Sequence, residues 1–205
     1  FPSEPIKDSI PTNYFWSRTI CCPYCDGLVP LSSSWKLASD GTGIKLHPQT
    51  GLGPGDKDRK CKFEVVKSEK EHSPKTASWG KATCPYPDCQ RVIDGDEVKS
   101  QAQAGAMADQ LYAIAYKKRV QTFTTTGNLR IKWERGSRSV CEEDIDIHNV
   151  ISQEVEHRLP EWQALDYVPI ERIPGISETG LRWSLESYGM NNWTDLFNNR
   201  QLLTH

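Results

Sequence analysis

Two short cysteine turns constrain this chain more than anything else in it. Cys22-Pro23-Tyr24-Cys25 and Cys84-Pro85-Tyr86-Pro87-Asp88-Cys89 both open with Cys-Pro-Tyr. Each runs into a turn and an apolar stretch, Asp26-Gly27-Leu28-Val29-Pro30 in the first and Gln90-Arg91-Val92-Ile93-Asp94-Gly95 in the second. Thiolates this close in sequence reach one ion from a tight turn, and two such turns complete a tetrahedron of sulfurs. The near-repeat predicts one closed site made by Cys22, Cys25, Cys84 and Cys89. A closed set of four sulfurs suits zinc or iron, and zinc is the expected metal in a reducing compartment. Four protein ligands leave no position for water or substrate, so the predicted role of Zn2+ is structural. Cys21 and Cys61 are the alternative ligands, and Cys141 reads as a helix-start or core thiol. A thioredoxin-like redox pair at Cys22 and Cys25 is the competing reading, but no βαβ pattern surrounds it and the second turn is left unexplained. The chain has seven cysteines, an odd number that argues against a closed secreted disulfide set and for a cytoplasmic setting.

Residues 26–83 separate the turns by more than a minimal ribbon needs. Gly41, Gly43, Gly51, Gly53 and Gly55, with Pro48 and Pro54, mark an inserted exposed loop. These glycines lack both the Lys-Ser/Thr ending of a P-loop and the strand-turn-helix setting of a dinucleotide loop. At 205 residues the chain can bury a real core as one sizeable domain or two small ones. No run approaches the roughly 18 apolar residues of a membrane span, so no membrane partner is expected. Seven Trp, seven Tyr and five Phe argue for folded structure. Residue 1 is Phe and the methionines are Met107 and Met190, so the expectation is a segment of a longer polypeptide.

Pattern reading places strands at 14–20, 35–38, 61–66 and 76–83. A helix capped by Asp94 or Asp96 is expected to run to Gln110, followed by a strand over Leu111–Tyr116. Gly127-Asn128 predicts a hairpin turn joining 112–120 to Leu129–Trp133. Ser139-Val140-Cys141-Glu142 fits a capping box. The acidic helix after it, Glu143–Leu159, has Ile147, Ile151, Val155 and Leu159 on one face and Pro160 as its stop. Asn198 reads as the N-cap of a further short helix.

Charge is unevenly placed. Residues 1–135 hold 20 Lys/Arg against 15 Asp/Glu, and residues 136–205 hold 5 against 12. An anionic partner is therefore expected to meet the first two-thirds of the chain. Lys117, Lys118, Arg119, Arg130, Lys132, Arg135 and Arg138 occur with Glu134 as the one acid among them and with Tyr116, Phe123 and Trp133 interleaved. A basic ribbon with aromatic residues is a phosphate- and base-contacting surface, and DNA is the expected partner. The bland reading is a charged hairpin edge that blocks pairing. Lys57, Arg59, Lys60 and Lys62 are expected to add to the surface as a loop. No paired carboxylates or Ser/His/Asp spacing stand out, and the five histidines are scattered.

Several motifs together resemble a known family. Thr12-Asn13-Tyr14-Phe15-Trp16-Ser17-Arg18-Thr19-Ile20 with Cys22-Pro23-Tyr24-Cys25 and Val29-Pro30-Leu31 resembles a segment of large prokaryotic adenine-specific DNA methylases that contain a zinc ribbon. So do Cys89 with Val92–Lys99, Gln103-Ala104-Gly105 with Leu111–Ile114, and, most specifically, Tyr188-Gly189-Met190 with Trp193–Phe197 and Arg200–Leu203. The resemblance covers nearly the whole chain in order. It implies S-adenosylmethionine-dependent amino-methyltransferases, some of them in anti-phage defence clusters. In these a cofactor loop of the Asp-Pro-Phe-x-Gly-x-Gly type lies before this segment and the catalytic Asp-Pro-Pro-Tyr, which holds a flipped adenine, lies after it. Neither motif occurs here, so the resemblance carries over no catalytic residue, and S-adenosylmethionine is implied only through the missing parts of the parent chain. Three departures stand out: Cys21 where another residue is usual, four residues inside the second turn, and Asn199 in place of the usual Pro.

The combined expectation is an α+β chain: a split zinc ribbon with a long insertion, a helix, a β-hairpin, an acidic helix and an extended C-terminal tail. Residues 1–95 would hold the ribbon, 96–165 the helix, basic hairpin and acidic helix, and 166–205 the tail leading into a truncated helix. The expected function is a DNA-binding or target-recognition module of an adenine methyltransferase, packed on the rest of its catalytic domain and not an enzyme by itself. The alternative is a zinc-stabilised protein–protein docking module using the acidic helix.

Overall fold

The structure is a computed structural model that describes residues 9–51, 59–175, 178 and 185–204. The described chain begins with β1 (Ser9–Cys21), β2 (Leu28–Leu31), β3 (Gly43–Pro48), β4 (Cys61–Val66) and a 3-10 turn at Glu69–Glu71. It continues through β5 (Ala77–Ser78), β6 (Lys81–Thr83), β7 (Val92–Ile93), α1 (Gly95–Gln103), β8 (Ala108–Phe123), β9 (Leu129–Ser139) and α2 (Glu142–Ala164). Two 3-10 turns, Leu185–Tyr188 and Trp193–Leu196, then lead to α3 (Asn199–Thr204). Strands and helices are mixed, as an α+β reading requires.

The main sheet has the order β2-β1-β8-β9, and all its pairs are antiparallel. β1 thus links the first cysteine turn, which follows it, to the long β8–β9 hairpin. Its register against β8 shifts between Pro11 and Asn13 and again between Phe15 and Trp16. Proline has no N–H for the ladder, and a bulge next to Pro11 is where a strand tolerates it. Two small sheets, β3-β4 and β5-β6-β7, flank the cysteine turns.

Several expectations change. The 35–38 strand reduces to a single bridge between Lys36 and Gly43. Part of the Gly-rich stretch is a strand, because Gly43–Pro48 pairs residue for residue with Cys61–Val66; Gly53-Pro54-Gly55 and Lys57 lie outside the described residues. The strand read over 76–83 is a hairpin bent at Trp79-Gly80, both with positive φ. Asp94 caps α1 through its side chain, but the helix ends at Gln103, ahead of Gly105 in the left-handed region (φ 70°). Residues from Ala108 onward are claimed by pairing with β1.

The acidic helix starts from Cys141, whose N–H donates to Asp144 at 2.9 Å, and runs through Pro160 to Ala164. A proline removes one helical hydrogen bond. Here the helix continues because Leu159 and Trp162 pack on a small core of Val155, Val168 and Leu202. That core also corrects the extended tail: α3 folds back on α2 with Leu202 buried. α3 is capped reciprocally, the Asn198 side chain accepting from the Gln201 N–H and the Gln201 side chain from the Asn198 N–H, both at 3.0 Å.

The larger core gathers Ile20, Val29, Trp35, Ile44, Leu46, Ala82, Tyr86, Ile93, Val98 and Ala113 around Cys22, Cys25 and Cys84. Trp35, Phe63 and Tyr112 pack ring against ring on one side of it, with centroids 5.5–5.9 Å apart. Thirteen-residue β1 enters this core with Ser17, Thr19 and Ile20 and leaves it at exposed Cys21.

Candidate metal centre

The two cysteine turns close in the same way. The carbonyl of Cys22 accepts from the N–H groups of Cys25 and Asp26, and the carbonyl of Tyr86 accepts from those of Cys89 and Gln90. The residue after each second cysteine, Asp26 (φ 57°) or Gln90 (φ 51°), takes the left-handed conformation. The N–H of each first cysteine, Cys22 or Cys84, donates at 2.9 Å to the carbonyl two residues beyond the second, Gly27 or Arg91. The turns therefore match from their second cysteines, and the two extra residues of the second turn lie ahead of the shared geometry. This gives the two Cys-Pro-Tyr tyrosines different fates: Tyr24 is exposed beneath Arg91, and Tyr86 is fully buried.

The sulfurs of Cys22 and Cys89 are 3.8 Å apart and those of Cys25 and Cys84 are 3.7 Å apart. All four ligand atoms lie within 4.8 Å of one another. A tetrahedron with Zn–S bonds of about 2.3 Å has edges of about 3.8 Å, so the set fits a zinc-sized ion. Both of these close approaches join one turn to the other, as a shared ion requires and a redox pair within one turn does not. Burial pushes the Cys22 thiol up to about 11 and raises Cys84 as well. Burial also opposes ionisation of Cys89, but the Arg91 N–H and the neighbouring thiols outweigh it and lower that group. Buried sulfurs become thiolates when a cation compensates them, with release of their protons. The group could hold a structural metal such as zinc. Cys21 and Cys61 stand outside it: Cys21 is exposed, and Cys61 is buried on β4 with its thiol pushed up to about 12 by burial.

Arg59 corrects the sequence reading. Read as a loop cation for an anionic partner, it is 0% exposed. Its guanidinium donates to both carboxylate oxygens of Asp88, at 2.7 and 3.0 Å, and to the Thr50 carbonyl. It also stacks 4.6 Å from the centre of the Tyr86 ring. Asp88 and Tyr86 are inside the second cysteine turn. The Arg59 carbonyl accepts from the N–H of Leu28, just after the first turn, and the Tyr86 hydroxyl donates to the Leu28 carbonyl. One residue thus ties the two turns together. Hydrogen bonding to the Asp88 carboxylate, together with its charge, outweighs the opposing effect of burial and holds Arg59 even more firmly protonated, and the same pairing lowers Asp88. Gly27 completes the clamp: a Cβ there would sit 2.4 Å from the Tyr86 ring. The signal for this network in the sequence is an aspartate inside a cysteine turn, but its partner lies 29 residues away.

The six cations proposed for nucleic acid lie on one ribbon. Lys117, Lys118 and Arg119 are on β8, and Arg130, Lys132 and Arg135 are on β9. They do not share a face. The unbroken register pairs Lys117 with Arg135, Arg119 with Trp133, Gln121 with Ile131 and Phe123 with Leu129, which sets these residues on one side. Lys118, Glu134, Val120, Lys132, Thr122 and Arg130 occupy the other. Arg138 is buried and held by Asp144 at 2.5 and 2.7 Å, fixing the start of α2 to β9. Of the remaining loop cations, Lys60 and Lys62 are exposed.

Among the described residues no helix is long and apolar enough to cross a membrane. No protein-family model, curated protein or solved structure matches this chain.

Proposed function

We propose that this chain is a zinc-ribbon module of an S-adenosylmethionine-dependent, adenine-specific DNA methyltransferase, of the kind found in anti-phage defence, and that it holds or recognises DNA with the β8–β9 arm. In this reading Cys22, Cys25, Cys84 and Cys89 hold one Zn2+. The ion supplies no chemistry to a substrate; it fixes the two turns against each other and closes the core. The observation that carries the DNA reading is the arm itself: between Lys117 and Arg135 the ribbon carries six cations and one acid, Glu134, which is paired to Lys118 at 3.9 Å. Phosphate contact by such a surface releases counterions, so binding weakens with salt in proportion to the phosphates neutralised. Exchange of Arg130 and Lys132 for Glu is expected to weaken DNA binding and to flatten the log–log salt slope by about two. Unchanged affinity and slope would reject that face of the arm as the DNA surface; the same result with Arg119→Glu and Arg135→Glu, on the other face, would reject the arm. The methylation itself, by this reading, belongs to parts of the parent protein that carry the cofactor loop and the catalytic tetrad.

A second reading, docking of another protein, has one observation in its favour. Ile145, Ile147 and Val150 are exposed on the acidic α2. Ile147 was expected in the apolar face that packs inward, and it does not. Docking there would be indifferent to the Arg130 and Lys132 exchanges and abolished by Ile147→Asp with Val150→Asp.

A further inference from the structure

We infer that one face of the arm is a stacking surface for unpaired bases, and that the nucleic acid this chain prefers is single-stranded or locally opened. The inference rests on the proposed nucleic-acid reading and deepens it. Side chains on one strand face repeat about every 6.6 Å, and the register places four side-by-side pairs in succession: Phe123–Leu129, Gln121–Ile131, Arg119–Trp133 and Lys117–Arg135. The outer three pairs present large apolar groups to solvent, with Phe123 73%, Leu129 57%, Ile131 49% and Trp133 46% exposed. The opposite face shows what a merely solvated ribbon looks like in the same strands. It carries Thr122 beside Arg130, Val120 beside Lys132, an ion pair of Lys118 with Glu134, and Tyr116 laid over Gly136.

The charge of the apolar face selects its occupant. Lys117, Arg119 and Arg135 stand on it, and Glu134, the one acid between Lys117 and Arg135, is on the other side. An apolar protein surface laid here would desolvate three cations with nothing to pair them. A polyanion with flat apolar rings satisfies both halves of the face. Lys117 already sits 5.1 Å from the centre of the Trp133 ring, so a cation and an aromatic plane are placed together where a phosphate and a base would be. Duplex DNA offers base edges in its grooves and keeps the ring faces stacked on each other. Unpaired bases expose those faces, and stacking on protein aromatics is sequence-tolerant.

The test is fluorescence anisotropy of the zinc-loaded chain with a labelled single-stranded 20-mer, the same sequence as intact duplex, and a duplex with an internal unpaired stretch. Wild-type chain is expected to bind the single strand and the opened duplex at least tenfold more tightly than the intact duplex. Phe123→Ala with Trp133→Ala is expected to lose about tenfold or more on the two unpaired substrates with the salt slope unchanged, since no cation is removed. Arg119→Glu with Arg135→Glu, which removes two cations of the same face, changes the slope instead. Circular-dichroism melts confirm that both variants fold. If the double-alanine variant binds like wild type, or intact duplex is bound best, the stacking face is rejected while the DNA reading stands. If no nucleic acid binds and vesicles of anionic phospholipid do, or nothing binds at all, the DNA reading falls and this inference with it.

Discussion

The cysteine core, whose first turn joins β1 to β2 of the main sheet and whose second joins β6 to β7, and the β8–β9 arm of that main sheet could hardly differ more. Around the cysteines most large groups are covered, and many are partnered: the Arg59 Nη atoms on Asp88, the Tyr86 hydroxyl on the Leu28 carbonyl, the Trp35 indole N–H on the Pro74 carbonyl at 3.0 Å; the exposed Tyr24 ring and the buried Arg59 Nε, which has no hydrogen-bond partner among the described residues, are exceptions. On the arm, Phe123, Leu129, Ile131 and Trp133 are spent on solvent. The chain thus covers most of its large groups in one region and leaves a run of apolar groups bare in the other. On the proposed reading the first region holds the fold together, and the second is kept for a contact. The physical corollary is that damage to the core is read in stability and damage to the arm is read in binding.

The largest expected effect lies at the cysteines. Cys89→Ser removes one of four ligands, and a small metal-organised core loses its folding free energy with its ion. The variant is expected to lack a cooperative thermal transition; a wild-type melt would show that the sulfurs do no such work. Arg59→Met comes next. It strips Asp88 of its partner and leaves the second turn tied to the first through Tyr86 and the shared cysteine site. Melting is expected to fall by about 5–10 °C, with faster loss of metal to a chelator. Arg59→Lys, which keeps the charge but cannot make the two-pronged contact with Asp88, is expected to recover part of the loss. Gly27→Ala forces the buried Tyr86 ring to move, which costs about 1–3 kcal/mol as overpacking does, seen as a melting temperature lower by several degrees. At the small end, Phe123→Ala with Trp133→Ala is expected to leave stability within about 0.5 kcal/mol of wild type in chemical denaturation, because both residues are exposed. A large loss there would mean that the arm is part of the core, and the contrast would fail.

Much of the core was legible in the sequence because its signals are local. The Cys-Pro-Tyr repeat marks both turns, the alternation of Cys61–Val66 marks β4, and Asp94 marks the start of α1. What the sequence concealed depends on distant partners. Arg59 sits among Lys57, Lys60 and Lys62 and reads as one more surface cation; its burial is decided by Asp88. Gly43–Pro48 looks like loop until β4 is there to pair with it. Pro160 reads as a stop, and the helix passes it because residues on either side have a core to pack against. The six arm cations were visible, but their division between two faces follows from a register that only the folded hairpin fixes.

The most direct test of the central claim is the metal content of the purified chain by elemental analysis, followed by a thermal melt with and without a strong chelator. One zinc per chain and a large loss of stability on chelation are the predicted result. A metal-free chain whose melt is unaffected by chelator would contradict the account, since the four clustered cysteines would then hold the core together without an ion.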